Sequence, residues 1–464
     1  MNFQQSVDYL YSFVDFERTT AFTYDTRTFD LEAFLELLAQ VKSPQSNFDI
    51  IHVAGTKGKG STCAMLASVL KSSRRKVGLF TSPHLLNVRE RVQVDGEWIS
   101  EDTFASILSE IEPVQTRLGV RMHSYRTTFE LLTAIALMHF AQQGVDVAVL
   151  ETGLGGRLDA TNVVSPTLCI ITRIGYDHTA VLGEDISSIA AEKAGIIKER
   201  TPVVIGPQLP EVLRVIMGVA RSKGSATVDV AREFSCDSKP ADDCRGIPLQ
   251  ILSIEGNGLR IDDIRLPLLG AHQIENACCV VAASRILARE LSGIDAGSIR
   301  QGLSQVRLMG RVEVLKRNPW LILDCAHNPE SAEALVNTLR EVCAPVRKIA
   351  IVGLSANKDA QTMLAVLTRY FDRFLVTKAD TKRAFPPAQL ADILRGFGAK
   401  VDVFLSAAGA AAAGLSMLGP DDMLCVTGSF YLAGELRHIL VDQASAPIIA
   451  SGLRLSRLGS TDDR

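Results

Sequence analysis

The stretch HVAGTKGKGSTCAML, residues 52–66, sets the tightest local constraint on the fold. The apolar residues up to Val53 read as a strand, whereas Cys63, Ala64, Met65 and Leu66, continued by Val69 and Leu70, read as one face of a helix. Gly55 to Gly60 then form a strand-to-helix turn. Glycines let the backbone wrap closely, so free N–H groups and the positive end of the helix dipole converge on one point, which suits a phosphate. Lys59 adds a mobile charge and Ser61 a hydroxyl for Mg²⁺. This is the logic of a P-loop in a changed spelling: Val53 stands where the first glycine belongs, and Gly60 separates Lys59 from Ser61. The competing reading is a Gly-rich turn whose lysines are merely solvated.

A chain of 464 residues exceeds one ordinary core and implies two or three domains. With 47% hydrophobic residues and a formal net charge of −3, it reads as a globular enzyme with no basic surface for nucleic acid. No window has the length and apolarity of a membrane span, and MNFQQSVDYLYSF lacks the pattern of a signal peptide. The nine cysteines form no C-x-x-C pair, and Cys63, Cys169, Cys279 and Cys425 sit within apolar runs, as buried thiols of a reducing cytoplasm do. The eight histidines are dispersed, which argues against zinc.

Strand and helix patterns alternate in two series. The first runs from Phe48 through VGLFT (77–81), an amphipathic helix at TFELLTAIALMHF (128–140), VDVAVLETG, LCIITRI and VVIG, a doubly wound parallel α/β pattern. The second starts near Trp320 with LILDCAH, KIAIVGL, RFLVTKA, VDVFL and MLCVTGS, separated by helices such as SAEALVNTLREVC and PAQLADILRGF. QGLSQVRLMGR between them is a hinge candidate around Gly310, and AAGAAAAGLSML (407–418) reads as a small-residue packing helix. A ligand would bind at the carboxyl ends of such strands.

Those strand ends carry the polar groups. Glu151 closes an apolar run and precedes Gly153, Gly155, Gly156, Arg157 and Asp159, so its carboxylate can hold Mg²⁺ against nucleotide phosphates or simply pair with Arg157. His178, beside Asp177, ends the next strand and gains a metal role only in company with the phosphate loop and Glu151. Lys193 lies on a helix of small residues next to Glu192 and, taken alone, reads as a surface lysine. Asn276, Asp324 and His327 complete the set, with Asn–Pro aiming His327 out of its sheet.

Together these segments resemble the folylpolyglutamate synthase and dihydrofolate synthase family of the Mur ligase superfamily. HVAGTKGKGST, TSPHLLNVRERV, TTFELLTAIA, ETGLGGRLDATN, IGYDHTAVLG, AAEKAGIIK, GAHQIENA, DCAHNP and GSFYLAGELR carry the likeness, in the family's order. The resemblance implies an N-terminal ATP-binding domain over 1–308, a smaller C-terminal Rossmann-like α/β domain over 309–443 and a flexible tail at 444–464. It makes Gly55, Thr56, Lys57, Gly58, Lys59, Gly60, Ser61 and Thr62 the nucleotide loop, with Lys59 on the β- and γ-phosphates. Ser61, Glu151 and His178 would surround Mg²⁺, and Lys193 would be a carbamylated lysine holding a second Mg²⁺, which reverses the surface-lysine reading. Asn276, Arg311, Asp324 and His327 would contact ATP. Thr81, Ser82, Pro83 and His84, with Arg157 and Asp159, would lie near the pterin-bearing substrate. Lys57, Met309 and Cys325 depart from the family's usual Asn, Pro and Gly, and the cysteine invites a nucleophile reading for which no base but His327 is at hand.

The activity implied is an ATP-dependent amide ligase that activates a carboxylate as an acyl phosphate and lets the amine of glutamate expel phosphate. The acceptor is dihydropteroate, the γ-carboxylate of a folate, or both, and loops including 95–124 would set the choice. The resemblance implies small-molecule partners only, a cytoplasmic location and a monomer. A nucleotide-dependent switch, a Mur-type ligase with another acceptor and a non-catalytic binder are the competing readings.

Overall fold

The computed structural model describes residues 1–15, 25, 29–122, 126–176, 181, 183, 185–356, 358–381 and 383–445. The N-terminal strands are β1 (Asp49–Ala54), β2 (Val77–Phe80), β3 (Val92–Val94), β4 (Glu97–Trp98), β5 (Val147–Glu151), β6 (Leu168–Ile171), β7 (Val203–Ile205) and β8 (Thr227–Asp229). They form one sheet in the order β4-β3-β2-β5-β1-β6-β7-β8, in which β3 and β4 add an antiparallel edge to an otherwise parallel run.

The inner parallel strands β2, β5, β1, β6 and β7 are buried on both faces, as their largely apolar runs require. Side chains alternate between two layers of helices. Ile51, Val53, Val147 and Val149 face the core shared with helices Lys59–Ser72 and Ala271–Leu287, while Ile50, Ala148 and Leu150 face helices Leu31–Gln40, Glu101–Met122 and Thr128–Gln143. The helix Thr128–Gln143 departs from the amphipathic expectation. Every residue from Leu131 to Phe140 is buried, so the helix is internal until its last three residues. Residues 101–122 are helical as well, where a specificity loop was expected.

A second departure is a three-stranded antiparallel sheet of β9 (Phe234–Asp242), β10 (Pro248–Gly256) and β11 (Leu259–Leu266), ordered β11-β10-β9, which has no counterpart in the strand pattern read from the sequence. Leu252, Ile254, Ile261, Ile264 and Leu266 bury one face against the core of helix Ala271–Leu287. The other face carries Glu255, Arg260 and Asp262 in exposed ion pairs.

The third sheet holds β12 (Glu313–Lys316), β13 (Trp320–Leu323), β14 (Lys348–Val352), β15 (Arg373–Val376), β16 (Lys400–Val403) and β17 (Met423–Thr427) in the order β12-β13-β17-β14-β15-β16. Only β12 runs antiparallel to its neighbour. Its two faces bury separate cores. One of these receives Leu85 from the loop after β2, and a Cβ at Gly434 would overlap the Leu85 carbonyl, so the helix Phe430–Ser445 lies directly on that loop. Arg317 Nη1 and Asp242 Oδ2 add an ion pair at 2.6 Å between the third sheet and the small one. Among the described residues no helix is long and apolar enough to cross a membrane.

Candidate active site

The phosphate-loop candidate falls between β1 and helix Lys59–Ser72, as its sequence requires. Gly58 is the N-cap, at φ 84°, with no side-chain cap. The first-turn N–H groups of Lys59, Gly60 and Ser61 therefore have no intrahelical acceptor and point outward from the helix end. Gly58 is compelled twice over, because a Cβ there would also overlap the side chain of Asn276. Thr56 N and Lys57 N both donate to Arg173 O at 3.0 Å, and Thr56 Oγ1 donates to Gly175 O at 3.1 Å, which ties the loop to the chain leaving β6. Ser61 and Thr62 are buried, and the Thr62 hydroxyl has no partner among the described residues.

Glu151 ends β5 beside this loop. It is 4% exposed, its Oε2 accepts the Ser82 N–H at 3.0 Å, and its Oε1 lies 4.0 Å from Lys59 Nζ. A Cβ on Gly60 would sit 3.3 Å from Glu151 Oε2, so the carboxylate overhangs the first turn of the helix. Lys193 is buried too, at 4% exposure, and Nζ donates to Gly55 O at 3.0 Å. The phosphate loop thus has Glu151 on one side and Lys193 beneath it. His178 and Asp177 lie outside the described residues, and among the described residues no cluster of three or more His, Cys, Asp or Glu forms a metal site.

The glycine-rich segment after β5 is locked to the Lys193 helix. Gly156 packs on the Glu192 and Lys193 carbonyls and Gly195 on Arg157, positions at which a Cβ would overlap. Arg157 donates to Glu192 at 2.8 Å, and Asn162 Nδ2 donates to Arg157 O at 2.9 Å. Arg157 therefore pairs with Glu192. Asp159 braces its own loop. It is 4% exposed, with Oδ2 accepting the Leu154 N–H at 2.8 Å and Oδ1 the Thr161 N–H at 3.0 Å and the Thr161 hydroxyl. Both oxygens take part in holding the loop together, and burial raises the pKa.

Thr81, Ser82, Pro83 and His84 follow β2, next to β5, which brings Ser82 to Glu151. Arg91 Nε donates to His84 Nδ1 at 2.9 Å. The Glu90 carboxylate gathers the N–H groups of Leu85, Leu86 and Asn87, a side-chain brace that the sequence reading missed.

From the third sheet, the Arg311 guanidinium stacks 4.7 Å over the Phe430 ring, and the His327 ring lies 5.6 Å from the same phenyl. Phe430 is thus the common platform, although only its motif was noticed in the sequence. Asp324 holds the turns around it. It is 6% exposed, and its oxygens accept the Val312 N–H at 2.9 Å and the Ala326 N–H at 2.7 Å, so it fixes the turns that carry Arg311 and His327. Burial pushes its pKa up. Cys325 is buried, with its thiol pKa pushed up to about 12 by burial, which removes it as a nucleophile. Asn276 Nδ2 donates to Gln273 Oε1 at 3.1 Å, and Gln273 is a further buried polar residue that sequence reasoning passed over. His272, one residue earlier, is held neutral with a pKa near 4 by burial and then by the charge of Arg311.

The phosphate loop, Glu151, Lys193 and Asn276 thus converge at the strand ends of the first sheet, and Arg311, His327 and Phe430 gather at those of the third. The two groups approach each other: the Glu330 carboxylate lies where a Cβ on Gly175 would be 3.0 Å from it. Such an arrangement has the chemistry to hold a polyphosphate between an anion-binding turn and a carboxylate able to take a cation.

Residues 53–284 match the Mur ligase middle domain and residues 310–430 the Mur ligase glutamate ligase domain. The chain is 33% identical over 447 residues to the folylpolyglutamate synthase of Lacticaseibacillus casei, covering 95% of this chain and 99% of that protein. It is 33% identical to the dihydrofolate synthase/folylpolyglutamate synthase of Bacillus subtilis, covering 87% and 93%. The structure of Mycobacterium tuberculosis folylpolyglutamate synthase complexed with ADP superimposes with a TM-score of 0.84 at 32% identity, covering 94% of this chain and 98% of that one.

Proposed function

The chain belongs to the folylpolyglutamate synthase/dihydrofolate synthase family of Mur ligases and is an ATP-dependent folate glutamate ligase; we propose that it uses both dihydropteroate and the γ-carboxylate of reduced folates, activating each as an acyl phosphate. A nucleotide switch is not favoured, since the family relation spans both ligase domains.

A carboxylate is a poor electrophile. Transfer of the γ-phosphoryl group of ATP makes it an acyl phosphate, and the amine of glutamate then adds to the carbonyl carbon and expels inorganic phosphate. In this reading the N–H groups from Gly58 to Ser61 and the Lys59 ammonium hold the β- and γ-phosphates, where negative charge develops during transfer. Arg311, Phe430, His327 and Asn276 hold the nucleoside end, and the substrate carboxylate is presented from the loop of Thr81 to His84.

Mg²⁺ fits the donors: the Glu151 carboxylate and the Ser61 hydroxyl are hard oxygen ligands at the mouth of the phosphate loop, with His178 and a carbamylated Lys193 completing one or two sites. Bound there, the metal neutralises phosphate oxygens and orients the γ-phosphoryl group. Carbamylation joins CO₂ to the neutral Lys193 amine with release of one proton, and the tightly enclosed lysine supports this reading. We also divide the chain into an N-terminal domain, 1–308, and a C-terminal domain, 309–443. Closure of the second over the first about Gly310 excludes water from the hydrolysable acyl phosphate.

The observation that carries this reading is the placement of Glu151 between Lys59 and the Ser82 N–H at the start of the folate-side loop. The test is phosphate release from Mg·ATP with dihydropteroate plus glutamate, tetrahydrofolate plus glutamate, and each component alone. Release with both acceptors, each dependent on glutamate, is expected. Release with one acceptor removes the dual specificity, and release without an acceptor sinks the acyl-phosphate route.

A further inference from the structure

The turn from Gly310 to Glu313 meets helix Phe430–Ser445 at two places. At one, the Arg311 guanidinium stacks on the Phe430 ring. At the other, Arg437 closes a two-pronged ion pair on Glu313: Nη2 donates to Oε1 at 2.6 Å, and Nε to Oε1 and Oε2 at 3.2 and 3.3 Å. Phe430 and Arg437 are two helical turns apart and so share a face, roughly 10 Å from one another along the axis at about 1.5 Å per residue. The pair is sheltered, with side-chain exposures of 17% for Glu313 and 23% for Arg437.

Between the two anchors stands Val312, buried and at φ 45°, a left-handed conformation that a β-branched residue rarely takes. Backbone of this kind persists only where its surroundings over-determine it, and here they do. Glu313 Oε2 accepts the Gly310 N–H at 2.9 Å, the Gly310 carbonyl accepts the Cys325 N–H at 3.0 Å, and Asp324 accepts the Val312 N–H. The far side of the turn is closed as well, since a Cβ at Gly310 would overlap Cys325 Sγ and stand 3.7 Å from Leu85. β12 is already joined to β13 by backbone pairing, so the ion pair is not what holds this strand in its sheet. What it adds is a fixed spacing between the turn and the helix.

We infer that Glu313 and Arg437 are positioning residues for nucleotide binding: their ion pair sets the turn against the helix so that Arg311 and Phe430 stay stacked at the nucleoside. The inference rests on the placement of that stack at the nucleotide, proposed above. Neither Glu313 nor Arg437 has to touch ATP. Loss of the fork frees Val312 to relax toward an ordinary backbone conformation, which carries Arg311 off the ring.

The test is a double-mutant cycle in the full chain, read by calorimetric titration with Mg·AMPPCP and by the kinetics of glutamate-dependent phosphate release. Arg437→Met, which keeps an unbranched apolar stem and loses the fork, should weaken AMPPCP binding about fivefold and raise KM for ATP by a similar factor, with kcat at saturating ATP within about twofold of wild type. Arg437→Lys, which keeps the charge without the fork, should fall between. Arg311→Gln should weaken AMPPCP at least as much, and Arg311→Gln/Arg437→Met should be no weaker than Arg311→Gln alone, because the ion pair acts through that guanidinium. A general loosening of the fold would instead add in the double variant. If Arg437→Met does not fold, Glu313→Gln, which keeps an acceptor for the Gly310 N–H, takes its place in the cycle. Unchanged AMPPCP affinity in Arg311→Gln would remove the nucleotide role of Arg311 and the proposal with it. Weakening in Arg311→Gln alongside unchanged affinity in Arg437→Met, or additive losses in the double variant, would overturn the positioning role and leave that nucleotide role standing.

Discussion

Lys59 Nζ stands 4.0 Å from Glu151 Oε1, beyond hydrogen-bonding distance but near enough for the two charges to attract. The lysine is held close to the carboxylate without a hydrogen bond to it and can turn toward a phosphate. Lys59→Ala should lower kcat/KM for glutamate-dependent phosphate release by more than tenfold, above about 1.4 kcal/mol of transition-state stabilisation. Glu151→Gln, which keeps an acceptor for Ser82 N–H, should lose activity that added Mg²⁺ partly restores. Turnover near wild type in Lys59→Ala would remove that side chain from the mechanism.

Gly58 combines a positive φ with direct packing on Asn276. Gly58→Ala should destabilise the chain by roughly 1–2 kcal/mol, the cost of a left-handed non-glycine residue. It should also weaken ATP binding by about tenfold or more, since the displaced loop misaims its N–H groups. Thermal denaturation and calorimetric titration with AMPPCP measure the two effects separately, and unchanged affinity would show that the loop adapts.

Lys193 and Lys198 provide an internal comparison, because each donates to a backbone carbonyl at 3.0 Å, Gly55 O and Asn162 O respectively. Lys193→Ala should depress kcat far more than Lys198→Ala once differences in Tm are accounted for. Partial rescue of the first variant by acetate or formate, and a carbamate signal after incubation with ¹³C-bicarbonate, are the results expected of a carbamylated lysine. A Lys193 that remains unmodified when CO₂ is trapped would refute that assignment.

His52 is fully buried in β1, where burial and then the charge of Lys198 lower its pKa to about 3. The unfolded chain titrates near 6.5 and binds the proton first. His52 therefore favours the folded state fully above that value, and this contribution is lost as pH falls from about 6.5 toward 3, by at most about 1.4 kcal/mol per pH unit. His52→Gln keeps a nitrogen for Thr161, whose hydroxyl lies 2.7 Å from Nε2, but has no titratable ring. The fall in Tm between pH 6.5 and pH 4 should be shallower in this variant. An equal slope in both proteins would exclude His52 from the acid response.

The parts of the site that could be read from sequence are those built by neighbours along the chain. Gly55 to Ser61 need only one strand, one turn and one helix, and Glu151 needs only the end of an apolar run. That Asp159 and Asp324 brace their own loops was not legible, because a carboxylate at a strand end looks alike whether or not it does so. The difference lies in backbone N–H groups that a sequence does not display. Phe430 was overlooked because its partners, Arg311 and His327, are more than a hundred residues away. The small sheet escaped notice because β9 and β11 mix charges into their strands, and their buried residues become a face only when set against helix Ala271–Leu287.

Leu85 leaves a loop of the first sheet, yet packs against the cluster that contains Leu432 and Leu436 beneath the third. The contour of the loop after β2, proposed above to face the folate, is consequently co-authored by a distant stretch of chain that has no place in the loop itself. In the proposed reading, drift in the residues around Leu432 would reshape the acceptor side without altering any residue that meets the acceptor, and a hybrid assembled from the halves of two relatives would inherit a mismatched loop even with every catalytic group intact.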